Sequence, residues 1–476
     1  LEVYVQFAMT WWAVFLVFSG VGLWLYRAFR LEIKRAETWF LAFWAGWALL
    51  LTFLQIWHFF FPVNDASRII FGLVGIAGIL FSVRPLAGLL VRGFAWRLPF
   101  YIFAIAFTIW IGNRSLQTPT WMWDMGMYHM DAVKWASAYP TIPGLGNLHS
   151  RLGFSSTFFL FPAWLNTGPW EGITWHVANS QLFLILTLQM AASLIIMLRK
   201  RLIEIQHLFN VLMGVVIWWF MLMDSTIPNI SNDPPVFAIG VVTASQLLAL
   251  IHSKALSRRE AAFRLVLIVL LASVGIAIKF SFGLVGVFTS FIALFVWLRR
   301  FGFPAIQLSS QELSFRQHIR PYVIQAAKMI ALLGVVSLLV LIPMMARSVW
   351  MTGYPAYPSI VGPFAVEWRI YPEHAELETR FIQAFARKQN APIDEVLADD
   401  SWFDGWIDRY VYPSLASQYV LFAGPVFLAC GAAIVLAVFR ATPFVRRVTR
   451  PIDIADWLFI FALIGSLFFW FDTAPD

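Results

Sequence analysis

Apolar runs the length of a bilayer crossing, closed by basic or proline-rich breaks, recur along nearly the whole chain. A helix needs about 20 apolar residues to cross a hydrocarbon core. On that ruler the pattern predicts transmembrane helices near 8–26, 38–61, 68–83, 98–112, 177–198, 207–223, 236–252, 264–279, 282–298, 324–344, 414–439 and 456–472. The expected fold is all-α, a polytopic transmembrane bundle of about 12 spans. FSSTFFLFPAWL (154–165) is apolar but too short to cross alone, and reads as a re-entrant or interfacial segment.

The basic residues orient these spans. With the 27–35 connection in the cytoplasm, alternation places 23 of the 34 Lys and Arg on that side, although the opposite loops are longer. Crossing the membrane with 154–165 would send the later basic loops outside, which argues for the re-entrant reading. An outer N-terminus with an even number of spans would be explained by a further helix upstream of Leu1. The organisation that follows is a membrane domain (1–344) with a motif loop at 113–176, an extracytoplasmic loop or cap (345–413), and a C-terminal transmembrane pair (414–476). Within the cap, AELETRFIQAFARKQ (375–389) has helical spacing and DDSWFDGWIDRYVYP (399–413) mixes acids with interfacial Trp. A lid is the simplest use of such a segment, with a docking site for membrane protein partners as the alternative.

Composition confirms the solvent. Hydrophobic residues make up 60% of the 476 and charged residues 13%, at a mean hydropathy of +0.73, where soluble domains carry about 25% charged residues. Membrane lipid is the first expected partner, and the net charge of +8 belongs to cytoplasmic loops, not to a nucleic-acid surface. The lone Cys430 leaves no disulfide or cysteine metal site within the chain. The sequence also contains no Walker A, GxSxG or HExxH pattern.

Against this background WMWDMGMYHMDAVKW (121–135) stands out, with Asp124, His129 and Asp131 in one short stretch. NLHSRLGF brings His149 and Arg151, DSTIPNISNDPP brings Asp224 and Asp233, AIKFSF brings Lys279, and ARSVWMTGYPAYPS brings Arg347 and Tyr354. All are expected on the extracytoplasmic side, and an ionisable group at membrane depth is a functional-site hypothesis by default. Ordinary roles stand beside the functional ones. Asp124 is a residue type that caps helices, Lys279 and Arg347 are types that reach lipid headgroups, and SNDPP is a natural helix boundary. An α-helix over 125–136 would put Asp124, Tyr128, Asp131 and Trp135 on one face and turn His129 elsewhere.

Acids beside a lysine and an arginine at a membrane boundary suit a lipid-linked phosphate donor. The cations would neutralise phosphate and a carboxylate would act as general base on an acceptor hydroxyl. The combination DMGMYHMDAVKW, IPGLGNLHSRLGFSSTFF, IKFS and Arg347 followed by GYPAYPS, over roughly 120–360, resembles a family of poorly characterised bacterial multi-span membrane proteins. That family is similar to GT-C membrane glycosyltransferases. The resemblance implies a GT-C-like fold, Asp124 as catalytic base, and Lys279 and Arg347 as phosphate binders. The chain departs from the GT-C pattern in having four spans before the acidic motif, and from the bacterial family in having Trp123 where Tyr is usual.

The expected function is transfer of a sugar from a polyprenyl-phosphate carrier to an acceptor outside the bacterial inner membrane. Asp131 and His129 would serve the acceptor or support Asp124. His149, Arg151, Asp224, Asp233 and Tyr354 complete the candidate binding set. The sequence requires no cofactor, and a divalent cation is compatible with the acids. The competing expectations are a non-catalytic subunit of a larger membrane assembly and, third, a lipid or solute transporter.

Overall fold

The computed structural model describes residues 1–33, 37–83, 94–117, 123–200, 204–222, 227–253, 255–302, 315–406, 408 and 453–473. Among these residues every regular element is helical. Eight helices are long and apolar enough to cross a membrane, so the chain is a membrane protein. They correspond to the expected spans at 8–26, 38–61, 177–198, 236–252, 264–279, 282–298, 324–344 and 456–472. The expected 68–83 falls on a helix of 16 residues, 98–112 lies within Phe94–Ser115, 207–222 of the expected 207–223 lie within Ile205–Leu222, and 414–439 lies outside the described residues.

The long helices are α1 (Glu2–Ala28), α2 (Glu37–Trp57), α3 (Asp65–Leu80) and α4 (Phe94–Ser115). After the short α5 (Met130–Ala138) come α6 (Ala178–Lys200), α7 (Ile205–Leu222), α8 (Asp233–His252), α9 (Arg258–Ile278), α10 (Gly283–Trp297) and α11 (Phe315–Thr352). The helices α12 (Pro372–Arg387) and α13 (Trp402–Trp406) belong to the cap, and α14 (Ile454–Thr473) follows. α9 is the central post, with 94% of its apolar window buried against α2, α8, α10 and α11. Its entry is fixed by a capping box, in which Ser257 and Glu260 satisfy each other's backbone N–H groups.

Lipid tails are as apolar as Leu, so membrane helices associate through close packing of small residues. α1, α2 and α3 do this at the level of the backbone. A Cβ on Gly20 would overlap the Gly75 carbonyl, one on Gly78 the Gly20 carbonyl, one on Gly22 the Ala42 carbonyl and one on Gly46 the Phe18 carbonyl.

Two features shape the site, the first in keeping with a re-entrant segment and the second a correction. The apolar stretch 154–165 is a buried insert: a 3-10 turn (Thr157–Phe159) leads into a short helix (Leu160–Leu165). Its Phe161 packs against Phe18 and Trp47, at ring separations of 5.9 and 6.2 Å. The open carbonyls at its end are collected by Arg68, which donates to those of Ala163, Trp164 and Asn166 at 3.2, 2.7 and 3.0 Å. The second lies in α11, which continues past 344 to Thr352 and carries Arg347 inside a helix instead of in a loop. The cap therefore begins after Thr352, because nothing between 344 and 352 breaks the helix until Gly353, at φ +84°.

Candidate functional site

The acidic motif begins with a π-helical turn, Met125–His129, that runs straight into α5. Single π turns widen a helix by one residue and are frequent at functional sites. Here the extra residue shifts the faces. Tyr128 and His129 both turn inward and are buried, whereas Asp131 points outward, its side chain 48% exposed and paired with Lys134 at 3.4 Å. The shared Asp124–Tyr128–Asp131 face expected from regular α-helical spacing is therefore replaced by an inward Tyr128–His129 pair.

Arg151 is the hub beside that pair. Its Nη1 donates to Asp124 at 2.6 Å and its Nε to Glu378 of α12 at 3.2 Å. Its guanidinium also lies 5.7 Å from the ring centroids of both Tyr128 and Phe381. The Ser150 hydroxyl donates to the other Glu378 oxygen at 2.7 Å. Arg151 is thus shared between two carboxylates, and it orients Asp124.

A second ion pair also acts on His129. Lys279, in extended backbone just past α9, donates to Asp233 at the start of α8 at 2.6 Å, and Ser231 donates to the other Asp233 oxygen at 3.0 Å. Next door, Ser156 donates to Asn232 at 3.1 Å. Tyr128 feels the charges of Asp124, Arg151, Asp233 and Glu378, and His129 those of Asp233, Arg151 and Lys279. Both aromatic residues thus lie within the influence of the two ionic clusters.

Burial raises the Tyr128 hydroxyl above its usual range, with Asp124 adding to the effect, so it remains a proton donor. Burial likewise pushes His129 down from 6.5 to about 4, opposed by Asp233 and reinforced by Arg151 and Lys279. Its ring lies 5.1 Å from that of Phe159, and Nδ1 is buried without a hydrogen-bond partner. A histidine held neutral in the folded state favours folding above its unfolded pKa and loses that advantage as pH falls toward the folded value. Acidification from pH 7 to 4 is therefore expected to remove up to about 3 kcal/mol, read as a falling thermal midpoint in detergent. His129→Phe should flatten that acid limb, and an unchanged limb would reject this account.

Arg347 sits apart from these ion pairs. It is 4% exposed, and its single hydrogen bond goes from Nη1 to the Ser155 carbonyl at 3.5 Å. Its Nε has no partner, and no carboxylate among the described residues pairs with it. Through Ser155 it is joined to the insert that also contacts Asn232.

The remaining candidates have structural partners. Tyr354 is buried and donates through its hydroxyl to the Ile370 carbonyl at 3.0 Å. His149 is exposed and accepts from the Arg151 backbone at 3.3 Å. The glycines of PGLGNLHSRLGF serve packing, since a Cβ on Gly144 would meet Trp368, one on Gly146 Ile370, and one on Gly153 Thr352. Asn147 completes the clasp by donating to the Trp368 carbonyl at 2.6 Å. Asp224 lies outside the described residues. Among the described residues no three His, Cys, Asp or Glu side chains gather as a metal site. Sequence reasoning missed Glu378, Ser150 and Arg68, because their partners lie tens to hundreds of residues away.

One family profile, described as a domain of unknown function, matches residues 5–308 and 317–476, nearly the whole chain. The chain belongs to the DUF8201 family. The DUF8201 match takes in both ionic clusters, Arg347 and the cap, and its interruption falls at the start of α11. No curated protein and no solved structure matches.

Proposed function

We propose that this DUF8201 protein is a GT-C-like glycosyltransferase of the bacterial inner membrane. It moves a sugar from a polyprenyl-phosphate carrier to an acceptor on the extracytoplasmic side. The observation that carries the reading is Arg347, a guanidinium buried without a carboxylate counter-ion among the described residues. An uncompensated buried cation is costly, and an anionic ligand removes that cost.

In the reaction the acceptor hydroxyl attacks the anomeric carbon, the bond from that carbon to phosphate oxygen breaks, and the lipid phosphate leaves with the bonding electrons. Asp124, held in place by Arg151, takes the hydroxyl proton. Arg347 stabilises the charge left on the phosphate. Lys279, paired with Asp233, adds little at the phosphate. The Tyr128 hydroxyl and neutral His129 are placed to bind the acceptor or to orient Asp124. Lipid packed between helices would hold the carrier tail.

The alternative reading, a non-catalytic subunit, draws on a specific observation: Asp124, Asp131 and Asp233 each already have a cationic partner. The α12 surface would then dock a membrane protein partner. Native mass spectrometry of the gently solubilised protein decides between them. A retained polyprenyl phosphate or its glycosylated form supports the transferase. Absence of any such lipid together with stoichiometric protein partners would move the assignment to the subunit.

A further inference from the structure

This inference rests on the reading above and concerns two further buried polar groups without a hydrogen-bond partner among the described residues. One lies on α2, which packs against α11, and one in the insert whose Ser155 carbonyl accepts from Arg347. Gln55, in the last turn of α2, is fully buried, and neither atom of its amide has a hydrogen-bond partner among the described residues. Thr157, which opens the 3-10 turn of the insert, is fully buried with its hydroxyl equally unpartnered. A buried polar group without a partner bears its whole desolvation cost, so three on adjoining elements call for a common explanation.

Their placement is coherent. α2 packs against α11 and against the Thr157–Phe159 turn. Gln55 lies three residues before His58, and residues at that spacing share a helix side; the backbone N–H of His58 still bonds the Leu54 carbonyl, continuing the helical turn. The Arg347 charge in turn acts on the His58 ring. That ring has its own partners, the Thr141 hydroxyl at 2.9 Å and the Tyr139 carbonyl at 3.1 Å. It therefore does not compete for the ligand. Arg347 donates to the carbonyl of Ser155, two residues before Thr157.

We infer that Gln55 of α2 and Thr157 of the insert complete, with Arg347, a phosphate-binding pocket from which Lys279 is excluded. A guanidinium, a carboxamide NH2 and a hydroxyl can all donate, and phosphate oxygens accept from each of them. Lys279 is excluded because it is already committed to Asp233. The ligand class is a phosphate mono- or diester, and the same donors fit a lipid headgroup or free phosphate.

The test uses the full-length protein in nanodiscs with two probes, a short-chain polyprenyl phosphate and inorganic phosphate. Gln55→Leu should weaken probe binding about tenfold or more, the equivalent of one hydrogen bond to a charged group. Its thermal midpoint without ligand should hold or rise, since an orphaned buried amide is replaced by an apolar side chain of similar size. Arg347→Met should abolish binding, and Lys279→Met should change it by less than about twofold. Binding of the lipid probe alone identifies a headgroup site, and equal competition by inorganic phosphate identifies free phosphate as the ligand. Wild-type binding by Gln55→Leu, or a loss with Lys279→Met as large as with Arg347→Met, would overturn the pocket while leaving the transferase reading standing. Gln55-dependent binding without sugar transfer would do the reverse. Failure of the wild type to bind either probe would remove both.

Discussion

Asp124→Asn is expected to lower sugar transfer by about a thousandfold, within the range that positioned general bases contribute, while carrier lipid stays bound. The amide keeps the size of the carboxylate and an oxygen for the Arg151 Nη1, so the 2.6 Å contact can be retained. What disappears is the ability to take a proton. Because Arg151 is shared with Glu378, it keeps a carboxylate partner, and the fold should survive. Turnover of lipid-linked sugar by the purified variant, beside lipid retention by mass spectrometry, separates the two effects. Full turnover by Asp124→Asn would reduce Asp124 to an ionic partner of Arg151.

Arg151→Met should be the most destabilising change at the site. Its side chain is 13% exposed and that of Glu378 12%, so both belong to the poorly solvated class of ion pairs. Removing one partner from such a pair leaves an uncompensated charge and costs about 3–5 kcal/mol. The cation–π contacts to Tyr128 and Phe381 are lost as well. The expected result is a lowered thermal midpoint and early protease cleavage around α12, whose anchor to the motif loop is Glu378. Adding Glu378→Gln should recover part of the loss, because it removes the stranded carboxylate. If Arg151→Met melted like the wild type, the hub would be a surface contact without structural consequence.

The sequence made the spans legible because lipid imposes a single rule over 17–25 residues at a time. Eight of the expected spans coincide with helices able to cross. The candidate site was legible as a set of polar segments but not as a set of partners. Asp124, Asp233 and Lys279 stood out because charge is rare in an oily chain, yet nothing local indicated that Lys279 belongs to Asp233 or Arg151 to Glu378. Those pairings span 46 and 227 residues. The π turn at Met125–His129 was hidden for another reason: its one extra residue breaks the period on which any helical-face argument depends. Gln55 was passed over because a single amide in an apolar run carries no signal until the groups around it are known. The glycines of the PGLGNLHSRLGF motif carry no signal of their own in the sequence, and only the close approach of Trp368, Ile370 and Thr352 explains their lack of side chains.

The carbonyl-to-glycine contacts among α1, α2 and α3 constrain how a long lipid could enter. Helices seated backbone against backbone can neither rotate nor slide without first lifting apart, so these three act as a stator. Any gate must then be formed by elements elsewhere in the bundle or by the cap. A short cysteine-to-cysteine crosslink joining the α1 and α3 ends should accordingly leave turnover unchanged, whereas arrest by such a crosslink would show that the stator itself moves.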